Sequence, residues 1–159
     1  MSKRLSICQY GEVTDTYTTL PAGLSVGDQR EEGGKIYVLT QADDAITARQ
    51  AVKLDSAADA TGGKVTPTAA AGDSVYGVAE TAIADESYGW VTIAGVVSVL
   101  VANNVAVDDP LAASSAAGVL DAAVEAGSGD YEFVAASALE ANSSGSAAAK
   151  SALLQLGLR

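Results

Sequence analysis

The sequence predicts a mainly-β protein: a small β-barrel or β-sandwich module that carries an extended N-terminal arm. Three observations predict it. The run Tyr88–Asn103, YGWVTIAGVVSVLVAN, is rich in β-branched residues, holds the only Trp and carries no charge. Short apolar segments punctuated by Gly, Pro, Asp and Asn fill most of the remaining chain. A similar order of segments returns about 55–57 residues further on, as a pseudo-repeat.

Residues 1–34 form the predicted arm and residues 35–159 the β-rich domain. The arm is open, polar and poorly periodic, is broken by Pro21, Gly23 and Gly27, and ends in the turn Arg30-Glu31-Glu32-Gly33-Gly34. A short strand is expected at Leu5–Tyr10. Two readings of the arm stand side by side. One is a segment that orders against a partner; the other is a peripheral strand of the same domain.

Lys35–Gln41, KIYVLTQ, alternates as a strand. Asp43-Asp44 opens a turn or a single helical turn. Ala51–Asp55 reads as a short strand, Thr61-Gly62-Gly63 as a turn, and Lys64–Thr66 as a short strand closed by Pro67. Gly72-Asp73 turns the chain into Ser74–Glu80, and Ala84–Ser87 links to the central run. There Tyr88, Trp90 and Thr92 share one strand face, and Val91 and Ile93 the other. Gly95 permits a bend or bulge, so the run is two strands or one long bent strand. The pseudo-repeat sets Leu54 near Leu111, Gly63 near Gly118, Gly72-Asp73 near Gly129-Asp130, and Val78-Ala79 onto Val134-Ala135. Ala141–Ser146 is a loop. In the tail, Ala147–Ala149 favour helix by propensity. The alternation of Ala152, Leu154, Leu156 and Leu158 favours a closing strand, and we take that reading.

A chain of 159 residues fits one domain, alone or with an arm. Its core must be built from small residues, because it holds one Phe and one Trp. Small side chains bury little area each, at roughly 25 cal/mol per Å², so association between subunits is an expected source of stability. The net charge of −11, with no basic cluster beyond Lys3-Arg4, argues against nucleic acid as a partner. Cys8 stands alone, which excludes an internal disulfide. No secretory signal is visible, and the apolar run Val91–Val101 is too short for a membrane helix, which needs about 20 residues.

The residues point away from chemistry. There is no His, the commonest general base and transition-metal ligand. The acidic pairs Glu31-Glu32, Asp43-Asp44, Asp85-Glu86 and Asp108-Asp109 sit beside turn formers, and sequence neighbours on a strand point to opposite faces. Gly62-Gly63 and Gly127-Ser128-Gly129 lack the Lys-Ser/Thr of a phosphate loop. No catalytic, cofactor or metal residue is expected. Trp90, in the most apolar run, is a core residue, whereas Tyr10, Tyr17 and Leu20 in the arm are the candidate interface residues.

One stretch carries a resemblance. AVKLD followed by GGKVTPTAAAGDSVYGVAETAIADESYGWVTIAGVV resembles the decoration, or cement, proteins of tailed-bacteriophage capsids. The matching positions are Val52, Leu54, Asp55, Gly63, Lys64, Val65, Gly72, Asp73, Val75, Gly77, Val78, Ala79, Gly89, Val91, Gly95, Val96 and Val97. FVAASALEAN and the apolar strand after it are also similar, so the resemblance covers about residues 45–159. These are turn and core positions. The resemblance implies a structural virion protein without enzymatic activity or cofactor. It would be made in the host cytoplasm and seated on the outer surface of the assembled head. Its partners would be the major capsid protein and, as a homotrimer, its own copies; Tyr10, Tyr17 and Leu20 become candidate capsid or subunit contacts. The alternative is a carbohydrate-binding or adhesin-like β-module, which requires exposed aromatics, so the accessibility of Trp90 and Tyr88 discriminates.

Overall fold

β-Branched residues mark the strands between Lys35 and Val101, whereas the later strands are built from Ala and Leu between turn formers. A computed structural model describes residues 11–55, 63–123 and 134–155. Every regular element among them is a strand: β1 (Thr16–Tyr17), β2 (Gln29–Glu32), β3 (Lys35–Ala42), β4 (Gln50–Leu54), β5 (Lys64–Pro67), β6 (Gly77–Ala79), β7 (Tyr88–Val101), β8 (Pro110–Ala113), β9 (Leu120–Ala122), β10 (Ala136–Ala138) and β11 (Ala148–Gln155). The all-β class is the expected one. The Asp43-Asp44 segment is a bend rather than a helical turn. The tail is a strand whose Ala152 and Leu154 face the core. No helix among the described residues is long and apolar enough to cross a membrane.

The central run is one strand, and it serves two halves of the protein. Its first half pairs antiparallel with β3 and its second half with β11. Between the halves, Ile93 is an extra residue opposite the Ile36–Tyr37 step, and Gly95 adopts φ +106°. The bulge and the glycine together bend the strand.

The pairings return on themselves twice. One ring runs β3, β5, β4, β6 and back to β7; the other runs from β7 through β9, β8 and β10 to β11 and back. Each encloses an apolar cluster. Ala42, Ile46, Val52, Val65, Ala79, Ile83 and Val91 fill the first. Val97, Val99, Val101, Val105, Leu111, Leu120, Ala138 and Leu154 lie in the second. Ala and Val dominate both, because a ring of five short strands leaves room only for small side chains.

The two rings are copies of one unit. In the first, β3–β5 is parallel, while β4–β5, β4–β6 and β3–β7 are antiparallel. In the second, β7–β9 is parallel, while β8–β9, β8–β10 and β7–β11 are antiparallel. The isolated bridge Ile46–Ile83 returns as Val105–Asn142, a displacement of 59 residues at both partners. Arg49 and Asp108, also 59 apart, share a positive φ, 72° and 70°. Their N–H groups donate to Ala79 O and Ala138 O. The pseudo-repeat is therefore real, but its expected alignment needs correction. Val52, not Leu54, corresponds to Leu111, and Val78-Ala79 corresponds to Ser137-Ala138 rather than Val134-Ala135. Only the Gly63–Gly118 match at β5 and β9 stands. Gly129-Asp130 lies outside the described residues.

The second copy holds one polar replacement in its core. Asn142, 1% exposed, occupies the place of Ile83. Its Nδ2 donates to Val101 O at 2.9 Å and to Ala102 O and Ser146 O at 3.0 Å. The side chain is buried because these carbonyls satisfy it.

One turn gives a pH-dependent prediction. Asp73 closes the β5–β6 connection by accepting from Ala69 N–H at 2.8 Å, Ala70 N–H at 2.9 Å and Lys53 Nζ at 3.0 Å. Burial pushes its pKa up, but the two N–H groups and the lysine outweigh it and hold the carboxyl below its ordinary value of 3.8. A depressed folded pKa gives stability that is present above the unfolded value and is lost as pH falls through the folded one. Asp73→Asn is expected to cost about 1–2 kcal/mol at pH 7. In urea unfolding at both pH values, the gap from wild type should shrink toward pH 3. A gap that persists at low pH refutes this assignment.

Candidate interaction surface

The N-terminal segment is described from Gly11, and from there it lies against the sheet. β1 pairs antiparallel with β7, with Tyr17 opposite Tyr88. β2 pairs antiparallel with β3. Val13, Leu20 and Leu24 pack with Tyr88 on the buried cluster Tyr37, Leu39 and Trp90. They cover one face of the β3–β7 ladder. Arg30 ties the segment back on itself, donating to Gly11 O at 2.7 Å and pairing with Glu32 at 2.8 Å.

Two of the three sequence candidates thus come together on this face. Tyr17 and Leu20 are both half-buried. Burial pushes the Tyr17 phenol pKa up and the Asp15 charge adds to it, while Trp90 and Arg30 oppose the rise. Tyr10 and the expected strand Leu5–Tyr10 lie outside the described residues. Trp90 is 5% exposed, so its ring belongs to the core, as its setting in the sequence implies.

The charged groups of the first unit are largely paired. Lys64 donates to Asp43 at 2.7 Å and to Glu86 at 2.9 Å. These two hydrogen bonds hold its ammonium well above the ordinary lysine range. Glu80 organises a polar cluster on the outer side of the β3–β7 ladder. It accepts from Lys35 Nζ at 2.7 Å, from Thr92 Oγ1 at 3.2 Å and from the Tyr37 hydroxyl at 3.5 Å. Burial, followed by the charges of Glu80 and Glu32, raises the Tyr37 pKa.

Three of the acidic pairs lie in bends or turns, but Glu31-Glu32 belongs to β2, where both residues pair with β3, so the expected turn Arg30–Gly34 is confined to Gly33-Gly34. Asp44 accepts from Thr66 Oγ1 at 3.0 Å, and Asp109 accepts from Ala106 N–H at 2.7 Å. Glu86 and Asp108 carry positive φ in turns. Among the described residues, no group of three or more Cys, Asp or Glu is placed to hold a metal ion.

Comparison with solved structures finds this architecture in a phage protein. The chain shares its fold with the N base of head fiber gp8.5 from bacteriophage phi29. The TM-score is 0.56 at 13% sequence identity, covering 79% of this chain and 98% of that one. No family model matches the chain, and no curated protein matches it.

Sequence reasoning missed a second surface. Val96, Leu139 and Val134 are 47%, 40% and 52% exposed, all in the second unit. The signal that finds them is the 59-residue repeat. With the correct alignment, Leu139 falls at the position of Glu80 and Val134 at that of Val75. An alignment of about 55–57 residues hides both.

Proposed function

We propose that this chain is a structural protein of a tailed-phage virion. It sits on the outer surface of the assembled head, binds the major capsid protein and stabilises the capsid lattice. The observation that carries this reading is the fold shared with the head fiber gp8.5 N base. The resemblance of residues 45–159 to capsid decoration proteins, found independently in the sequence, points the same way. The protein acts without catalysis or a cofactor, as a homotrimer, and many copies on one lattice supply avidity without a large interface each. The net charge of −11 suits a basic patch on the shell. The carbohydrate-binding alternative needs an open aromatic platform; Trp90 is buried under Val13, Leu20 and Leu24, and Tyr88 is half-buried beside it.

The test is quantitative mass spectrometry of gradient-purified particles from the source of this sequence. Copies in the hundreds per particle are expected for a lattice-binding protein. A few copies per particle would restrict the role to isolated sites, and absence from particles would end the virion reading. The full chain must be used, since residues within 11–24 complete the core around Trp90.

A further inference from the structure

The two units differ most on one outer face. In the first unit that face is covered twice. Val13, Leu20 and Leu24 lie over Tyr37, Leu39 and Trp90. The second unit lies over Ala51, Val75 and Val78, which are 0%, 4% and 0% exposed and join its core cluster. The covering body there is another copy of the same fold.

In the second unit the equivalent face is open among the described residues, and its chemistry is inverted. Lys35, Tyr37 and Glu80 of the first unit correspond, 59 residues on, to Ala94, Val96 and Leu139. Thr92, which pairs with Tyr37, corresponds to Leu153, which pairs with Val96. An ion-paired polar cluster has become four apolar side chains. Val75, 4% exposed, corresponds to Val134, 52% exposed. Ala51 corresponds to Pro110.

We propose that this face, centred on Val96, Leu139 and Leu153, is where the protein meets a second copy of itself, the same face meeting about a common symmetry axis. Three observations choose that occupant. This fold already covers the adjoining part of its first unit, Ala51, Val75 and Val78, whose counterparts include Pro110 and Val134, with another unit of its own kind. The chain carries −11, so two copies approach at least cost where both are uncharged, and the six positions named hold no charge. Finally, Pro110 closes the assembly. Ala51 N–H donates to Gly118 O of the next unit at 2.8 Å. Proline has no N–H, so the head-to-tail stacking used inside the chain cannot simply continue onto another copy. Contact through side chains about an axis closes, whereas continued stacking would grow a fibre. The inference gives a face to the self-association in the functional reading. It is read on free protein, so it can hold when capsid binding fails, and the reverse.

The experiment is sedimentation equilibrium of the full chain without capsid, across micromolar to millimolar concentration. Wild type is expected to associate into a closed oligomer of defined mass. Val96→Glu, at a half-exposed position that tolerates the change locally, should weaken association by about 100-fold or more, as for a charge left buried without a partner. Leu139→Glu restores the residue type of the first unit and should do the same, which covers the case that the first variant fails to fold. Circular dichroism and a melting curve check each fold. Val107→Glu, at a 53% exposed turn position, should leave association unchanged. A wild type that stays monomeric overturns the proposal. So does association that survives both variants, or one that Val107→Glu disrupts equally.

Discussion

Trp90→Ala should destabilise the protein by about 3–5 kcal/mol, the range of large-to-small changes in a packed core. Trp90 lies in the middle of the face that β1 and the segment after it cover, with Tyr37 and Leu39 beneath and Val13, Leu20 and Leu24 above. Removing the indole leaves a void among Tyr37, Leu39, Val13, Leu20 and Leu24, and close-packed neighbours relax into such a void only in part. The loss should appear in urea unfolding followed by circular dichroism. It should also loosen the N-terminal segment, whose Val13, Leu20 and Leu24 pack on this cluster, and limited proteolysis should then cut first within residues 11–24. A loss below about 1 kcal/mol would mean that the indole is not packed as described.

Gly95→Ala should be comparably damaging, at about 2–5 kcal/mol, although it adds a single methyl group. Two effects add. At φ +106° an L-residue is strained. The new Cβ would also lie 2.7 Å from Gly34 O and 3.1 Å from Lys35 Cα, both backbone atoms that cannot swing away. Because Gly95 separates the β3-paired half of β7 from the β11-paired half, the strain falls where the two units join. Loss of cooperativity, with the two units melting separately, would locate the effect at that joint. A variant as stable as wild type would show that the bend does not require glycine.

The candidate surfaces were only partly legible in the sequence. Tyr17 and Leu20 stood out because aromatic and apolar residues are conspicuous in a polar segment, and the structure places both on one face of β3–β7. Val96, Leu139 and Leu153 did not stand out, because each lies in a run that reads as core. Val97, Ala138 and Ala152, their immediate neighbours, are core residues. Which side of a strand meets solvent depends on what lies across it, and a bulge reverses the alternation.

The sequence by itself determined the all-β class, most of the strand positions and the buried Trp90. Those follow from β-branched content, period-two alternation and turn chemistry, all of which act over a few residues. Only the tertiary structure decided that the central run is one strand shared by two rings, that β5 pairs in parallel with β3 and β9 with β7, and that the repeat is 59 residues long. The physical reason is that register is set between strands far apart in the chain, while the connections between them vary freely in length. From Leu54 to Lys64 the chain advances ten positions, but from Ala113 to Val119 only six. From Val65 to Gly77 it advances twelve, but from Leu120 to Ala136 sixteen. The two differences cancel, so the units superpose in space while their sequences slip out of step between β4 and β6.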